Sequence, residues 1–546
     1  MLKVLDISHN QLQALVNPSI NSVEEFYLSD NRLNTLNQLN QPKMRILDVS
    51  RNEIETVDGT TFDQATTIRI SDNIPLKTFT NNKWPLIKTL DFGESSLETF
   101  SGNTLSSVTE LIIHGALLNF DINTLGALKY LDLSSNKLPT INLSRFPALE
   151  EVYLQTNVLT ELKDIKVLTQ LRILDVSNNE ITTFANNNFP QLTNLNLQFN
   201  NITNFSGISL PKLTNISFRG NKLEQFNDNQ FGALQELDLN NNKLQTFVNN
   251  NLTSIKKLFI SNNPMAKFEK AEYPQLTVLE ASSNNMTSFA ENKFEQLETL
   301  NLPFNELSNL TGNTLPKLKT LEVSYNNFTS LSNLLQFRTV QSGIYDNNLI
   351  GPTVDGQAAD SLSLLELWSN KITSFTNNNF ANLKTLLLYS NGLQSFTGNK
   401  LQALTTLDIS RNNIKGFSSS VDRNEFNALT KLIASNNEII SFNLSTATDA
   451  AITDLWLDSN NLDKFSRRTM SSLKVLNLNK NPLLNEFSGN NFPQLTNLSL
   501  SDTALLDFSN YQFFDQLLSL EIARSLLSSF ADNSFNKLEK LDLSNN

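Results

Sequence analysis

Apolar residues recur along this chain in a fixed frame. In the segment LTNLNLQFNNITNF, which begins at Leu192, they fall at the first, fourth, sixth, eleventh and fourteenth positions, with asparagine at the ninth. The frame returns as LTNISFRGNKLEQF from Leu213 and as LQELDLNNNKLQTF from Leu234. Within each copy the x-L-x-L-x stretch alternates with period two, the mark of a short strand that buries one face. A unit of this size cannot bury its own leucine row. Neighbouring copies must therefore stack into one continuous core.

The frame L-x-x-L-x-L-x-x-N-x-L-x-x-F resembles the leucine-rich-repeat signature and covers the chain from Leu2 to Leu538. The resemblance implies a mainly β, right-handed leucine-rich-repeat solenoid or horseshoe. About 26 coils of about 21 residues would carry a parallel sheet on the concave side. The return segment is too short for a two-turn helix in most coils, so extended chain, turns and occasional 3-10 pieces are expected there. The expectation is a single solenoid over 1–546, uncapped at both ends and thus a piece of a longer protein. A catalytic domain outside it is left open.

Two positions carry most of the local meaning. An asparagine at the ninth position can satisfy backbone groups freed where the strand turns away. Phenylalanine at the fourteenth, as at Phe184, Phe205, Phe226 and Phe247, predicts a stacked aromatic spine. Two residues later, glycine or asparagine (Gly102, Gly207, Asn186, Asn377) marks a turn that needs positive φ. Ser95, Ala116, Thr503 and Ser525 replace the ladder asparagine. Two stretches break the period. In 339–361, read from Thr339, Ser342 replaces a core leucine, Pro352 falls where phenylalanine is expected, and GPTVDGQAADS adds length. In 404–451 the insertions lie around SSSVDRNEF and STATDAA. They read as tolerated surface length or as islands projecting toward a ligand.

Composition removes several functions. There is no cysteine, so thiolate metal sites and cysteine nucleophiles are absent from these residues. A net charge of −12 without basic clusters argues against nucleic acid and permits a basic partner. No apolar run is long enough for a membrane span, so no membrane contact is expected within this region. His9 and His114 are the only histidines and lie far apart in sequence. No catalytic, metal or cofactor signature appears, and the chain reads as a non-enzyme. Acids at the fifth position alternate along the coils, as Asp6, Asp48, Asp91, Asp132 and Asp175, then Asp238, Glu280, Glu322, Glu366 and Asp408. Such spacing separates like charges by roughly 9.6 Å and keeps the sheet soluble.

The candidate ligand site is a run of aromatics at the seventh or eighth position of five successive coils: Phe304, Tyr325, Tyr345, Trp368 and Tyr389, flanked by Glu322 and Glu366. Exposed aromatics on adjacent strands make an interaction patch. The alternative is that the rings pack together to support a defective coil. The expected function is recognition of a protein or peptide on the concave face, in a cell-surface or extracellular receptor or adhesion protein. Self-assembly into a surface filament and an intracellular, cytoplasmic scaffold are the competing roles. Ten Asn-x-Ser/Thr sequons permit glycosylation, with Asn142, Asn201, Asn204, Asn251, Asn285, Asn309, Asn327 and Asn443 as candidates.

Overall fold

The computed structural model describes residues 2–546 except 16–19, 38, 40, 121, 167, 512 and 513. Its contacts divide the chain into two compact units. One comprises Met1–Met265 with Tyr273–Leu276, the other Ala266–Glu272 with Thr277–Asn546.

Each unit is a stack of coils, and each coil contributes one short strand to the main sheet. In the first unit Asn194–Asn196, Asn215–Ser217 and Glu236–Asp238 run parallel and in register, so that Leu195, Ile216 and Leu237 form one buried row. In the second, Leu300, Leu321, Gly343, Leu365, Leu386 and Leu407 are register partners in the same way. The period-two pattern thus becomes a leucine row inside and a polar row outside. The expected mainly β, parallel solenoid is what forms.

A left-handed turn follows each strand. The residue before the ladder asparagine has positive φ in coil after coil, at Asp30, Arg51, Asn178, Phe199, Phe304, Tyr325 and Ser390 among others. The asparagine then seals the turn. Asn200 Nδ2 donates to Leu197 O at 3.1 Å and to Val176 O of the preceding coil at 3.0 Å. Its Oδ1 accepts from Ile181 N at 2.9 Å. One side chain therefore satisfies backbone groups of two coils, as its two donors and its carbonyl allow. At Ser95 and Ala116, which replace the asparagine, the strands Thr89–Glu94 and Glu110–His114 are longer than their neighbours, whereas at Ser525 the strand Ser519–Glu521 keeps the ordinary length.

The return side repeats this logic with a second ladder that the frame did not reveal. Three residues after the spine phenylalanine comes another buried asparagine. Asn229 Nδ2 donates to Phe205 O at 3.0 Å, and Asn103 Nδ2 to Phe79 O at 3.1 Å. Short parallel strands flank it, such as Thr56–Asp58, Thr78–Thr80 and Thr99–Ser101. The spine stacks as expected: Phe205 and Phe226 lie 6.0 Å apart at 11°, Phe226 and Phe247 5.9 Å apart at 13°. Helix is confined, among the described residues, to two 3-10 turns and to Ser419–Asp422 and Thr446–Ala451, both within the lengthened coils.

The coil at 339–361 corrects the sequence frame. Gly343, not Ser342, pairs with Leu321 and Leu365, so the coil starts at Val340. Tyr345 then occupies the second inward position and is fully buried, filling the space that Gly343 leaves: a Cβ on Gly343 would lie 2.7 Å from Tyr345 Cζ. Val354, rather than Pro352, takes the spine position, as the register partner of Phe375. The added residue is absorbed at Gly351. There φ is +144° and a Cβ would meet Lys371 O at 2.3 Å, so only glycine fits.

Candidate functional site

On the sheet face of the second unit, the outward residue between the two buried ones forms a continuous register row: Glu322, Ile344, Glu366, Leu387, Asp408 and Ile433. Carboxylate and aliphatic side chains alternate along it at the strand spacing of about 4.8 Å. All six are half-buried. The cause is the two-coil alternation of acids, with Ile344, Leu387 and Ile433 on the strands between.

Beside this row, two positions farther along the coils, stand Asp346, Trp368 and Tyr389. The Trp368 and Tyr389 rings are stacked at 5.2 Å and 5°. Trp368 Nε1 donates to Glu366 Oε2 at 3.2 Å, which fixes the indole against the row. Asp346 is buried and accepts from Ser324 Oγ at 2.8 Å and Asn347 Nδ2 at 2.9 Å. Burial holds the Glu322 carboxyl above the ordinary glutamate range, and the neighbouring charges of Asp346, Glu366 and Glu280 push it the same way. Burial likewise raises the Tyr389 phenol, helped by Glu366, Asp346 and Asp408 and opposed by Arg411. Carboxylates therefore outnumber cations around a stacked aromatic platform, with Arg411 as the cation acting on Tyr389.

The expected run of five aromatics is not one ladder. Tyr345 lies in the core and is unavailable to a ligand, because the one-residue slip at Thr339 turned it inward. What remains is two separate pairs. Trp368 and Tyr389 adjoin the carboxylates. Phe304 and Tyr325 stack at 4.3 Å and 13° on the left-handed turn residues after their strands, and both are exposed. Phe199 occupies the equivalent turn in the first unit, its ring covering Gly220. Ile344 and Asp346 take these places only because the coil starts at Val340.

The acids at the fifth position have a local task as well. Asp48 accepts from Ser50 N at 3.1 Å and Oγ at 2.6 Å, and Asp175 and Asp408 repeat the arrangement with Ser177 and Ser410. The Asp-x-Ser spacing is visible in the sequence and marks acids that brace the turn. No such bond forms at Glu322 or Glu366, whose longer side chains reach outward. Of the sequon asparagines, Asn142, Asn204, Asn251, Asn285, Asn309, Asn327 and Asn443 are exposed and Asn201 is half-buried. His9 and His114 lie against Asp30 and Asp132 at 3.5 and 3.3 Å.

No family model matches the chain, and no curated protein matches it either. Among solved structures it is similar to YopM from Yersinia enterocolitica WA-314, at 19% identity over 96% of this chain and 91% of that one, with a TM-score of 0.47. It is also similar to the plant peptide hormone receptor RGFR1 solved with RGF2, at 16% identity, 97% and 93% coverage and a TM-score of 0.43. A third likeness is to TLR13 solved with ssRNA13, at 18% identity, 100% and 84% coverage and a TM-score of 0.40. These likenesses concern the fold and not what those proteins bind. The repeat frame, the in-register parallel strands and the asparagine ladder together give this chain the fold of a leucine-rich-repeat solenoid.

Proposed function

We infer that this chain is a non-catalytic recognition protein that binds a protein or peptide ligand on the sheet face of its second unit, through a basic side chain of that ligand. The observation that carries the reading is the contact between Trp368 and Glu366, with Glu322 two strands away on the same row: an aromatic plane and carboxylates on one face. A guanidinium or ammonium group is attracted both to the ring face and to the carboxylates. Ile344 and Leu387 offer apolar area for the stem of such a side chain. Display at the cell surface belongs to the same reading and is supported by the exposed sequons.

The test is selection of peptides from a displayed random library on the whole chain. Peptides enriched in arginine or lysine are expected, and Glu322→Gln with Glu366→Gln should weaken them at least tenfold without lowering the melting temperature. Recovery of acidic or purely apolar peptides would overturn the reading, as would unchanged binding to the double variant. A single-stranded RNA probe run in parallel would overturn it if the RNA bound more tightly than the peptides.

A further inference from the structure

A concavity lies on the sheet face of the first unit, lined by none of the residues of the site just described. It is a hollow of about 300 Å³, at the small end of ligand pockets. Its origin is local. Two successive coils place short polar residues outward, Asn194 and Asn196 on one strand and Asn215 and Ser217 on the next, in register. The flanking coils rise higher, with Tyr153 and Asp175 on one side and Glu236 and Asp238 on the other.

The wall on the tyrosine side is fixed. Tyr153 donates to Glu151 Oε2 at 3.3 Å, and its ring lies 5.5 Å from that of Tyr130. The carboxylates already have partners. Asp175 accepts from Ser177 N at 2.9 Å and from Asn196 Nδ2 at 2.9 Å, Asp238 from Asn240 N at 2.9 Å, and Glu236 faces Lys257 Nζ at 3.3 Å. Only Glu236 has a cationic partner, and the two aspartates are held by neutral donors. Among the described residues, no group of three or more histidine, cysteine or acidic side chains is placed to hold a metal ion.

Spare hydrogen-bonding capacity is what remains. Asn194 and Asn215 are exposed amides, each offering two donors and an acceptor, and each carboxylate has about four acceptor positions, not all of them used. Vicinal hydroxyl groups, which donate and accept from adjacent carbons, match this mixture. The apolar C–H face of a sugar ring matches the Tyr153 ring, as aromatic side chains pair an apolar body with a polar tip.

We propose that this hollow is a binding site for a neutral carbohydrate of one or two sugar rings, held by Asn194, Asn215, Asp175 and Asp238 with Tyr153 as its platform. The probes are glucose, galactose, mannose, N-acetylglucosamine and their β-linked disaccharides, titrated against the whole chain by saturation-transfer NMR. The protein is made in a host that does not glycosylate, because Asn215 itself opens a sequon. At least one sugar is expected to bind saturably. Asn194→Ala with Asn215→Ala should weaken it at least tenfold, while Trp368→Ala with Tyr389→Ala leaves it unchanged. The proposal is overturned if no sugar saturates at high millimolar concentration, if the asparagine variant binds as before, or if calcium alone saturates the hollow and blocks the sugar.

Discussion

Arg468 forms a part-buried ion pair with Asp449, Nη1 to Oδ2 at 3.3 Å, and in doing so replaces a rung of the second asparagine ladder. Its backbone N–H bonds to Asn490 Oδ1 at 3.0 Å, as a ladder residue should. Its guanidinium donates to Phe442 O, the bond that Asn490 makes to Phe465 O in the next coil. The same group lies over the Phe442 and Phe465 rings, at 5.3 and 4.8 Å. Asp449 belongs to the inserted helix Thr446–Ala451, which Ser445 caps. The lengthened coil is therefore not a projecting island here. It is fastened to the spine.

Removing Arg468 should expose how much that fastening holds. Arg468→Ala leaves the part-buried carboxylate without its partner and Phe442 O without this donor, a loss of roughly 1–3 kcal/mol. Arg468→Asn restores the rung but not the ion pair, and should cost less. Hydrogen exchange is expected to rise in 442–468 in both variants, more in the first, and to stay unchanged in the first unit because coils contact only their neighbours. Equal exchange in the two variants would contradict the ladder role.

Tyr345 supplies a second test. Its hydroxyl is buried with no hydrogen-bond partner. Tyr345→Phe removes an unsatisfied polar group while keeping the ring, and should stabilise the protein by up to about 1–2 kcal/mol. Gly343→Ala should destabilise it, since the new Cβ would meet the ring at 2.7 Å. Thermal unfolding measures both, and a less stable Tyr345→Phe variant would show that the hydroxyl has a partner.

These two places also show how far the sequence could be read. The leucine frame, the ninth-position asparagine and the phenylalanine spine were legible because each repeats at a fixed offset dozens of residues running. The coil from Val340 is hidden in the sequence because glycine at a core position looks like a lost leucine, and the compensating tyrosine then looks like a surface ring. Only the pairing of Gly343 with Leu321 reveals the exchange of volume between the two sites. Arg468 was invisible for a related reason: it does an asparagine's work with different chemistry. The acid-aromatic face was half legible, through Glu322, Glu366, Trp368 and Tyr389, and lacked Ile344 and Asp346 until the register was corrected.

Phe304 and Phe226 are both stacked aromatics, yet their removal should differ sharply. Phe226 is fully buried in the spine, and Phe226→Ala should cost roughly 3–5 kcal/mol. Phe304 is 54% exposed and sits at φ +55°, a conformation that costs a side chain of this kind about 1–2 kcal/mol. Phe304→Asn loses a ring pair worth about 0.5–1.5 kcal/mol but relieves the strain, because asparagine tolerates the left-handed region. The net change should be near zero in a denaturant titration. A large loss would mean that the Phe304–Tyr325 pair is part of the coil's support.

The last prediction concerns acidity at the proposed ligand face. Burial and the like charges of Asp346, Glu366 and Glu280 raise the Glu322 carboxyl above its ordinary value of 4.5. The folded state thus holds this proton more tightly than the unfolded chain does. The unliganded protein should accordingly give up the corresponding stability as pH rises from the unfolded value through the raised one. A basic ligand has the opposite preference, since it gains only from the ionised carboxylate. Its affinity should be highest above the raised value and fall as pH drops through it, beginning at a higher pH than an unperturbed glutamate would allow. Calorimetry in buffers of different ionisation enthalpy should register proton release on binding in that window, and Glu322→Gln should abolish it. Affinity that rises on acidification would sink the basic-ligand reading, because protonating Glu322 would then help the complex rather than remove its counter-charge.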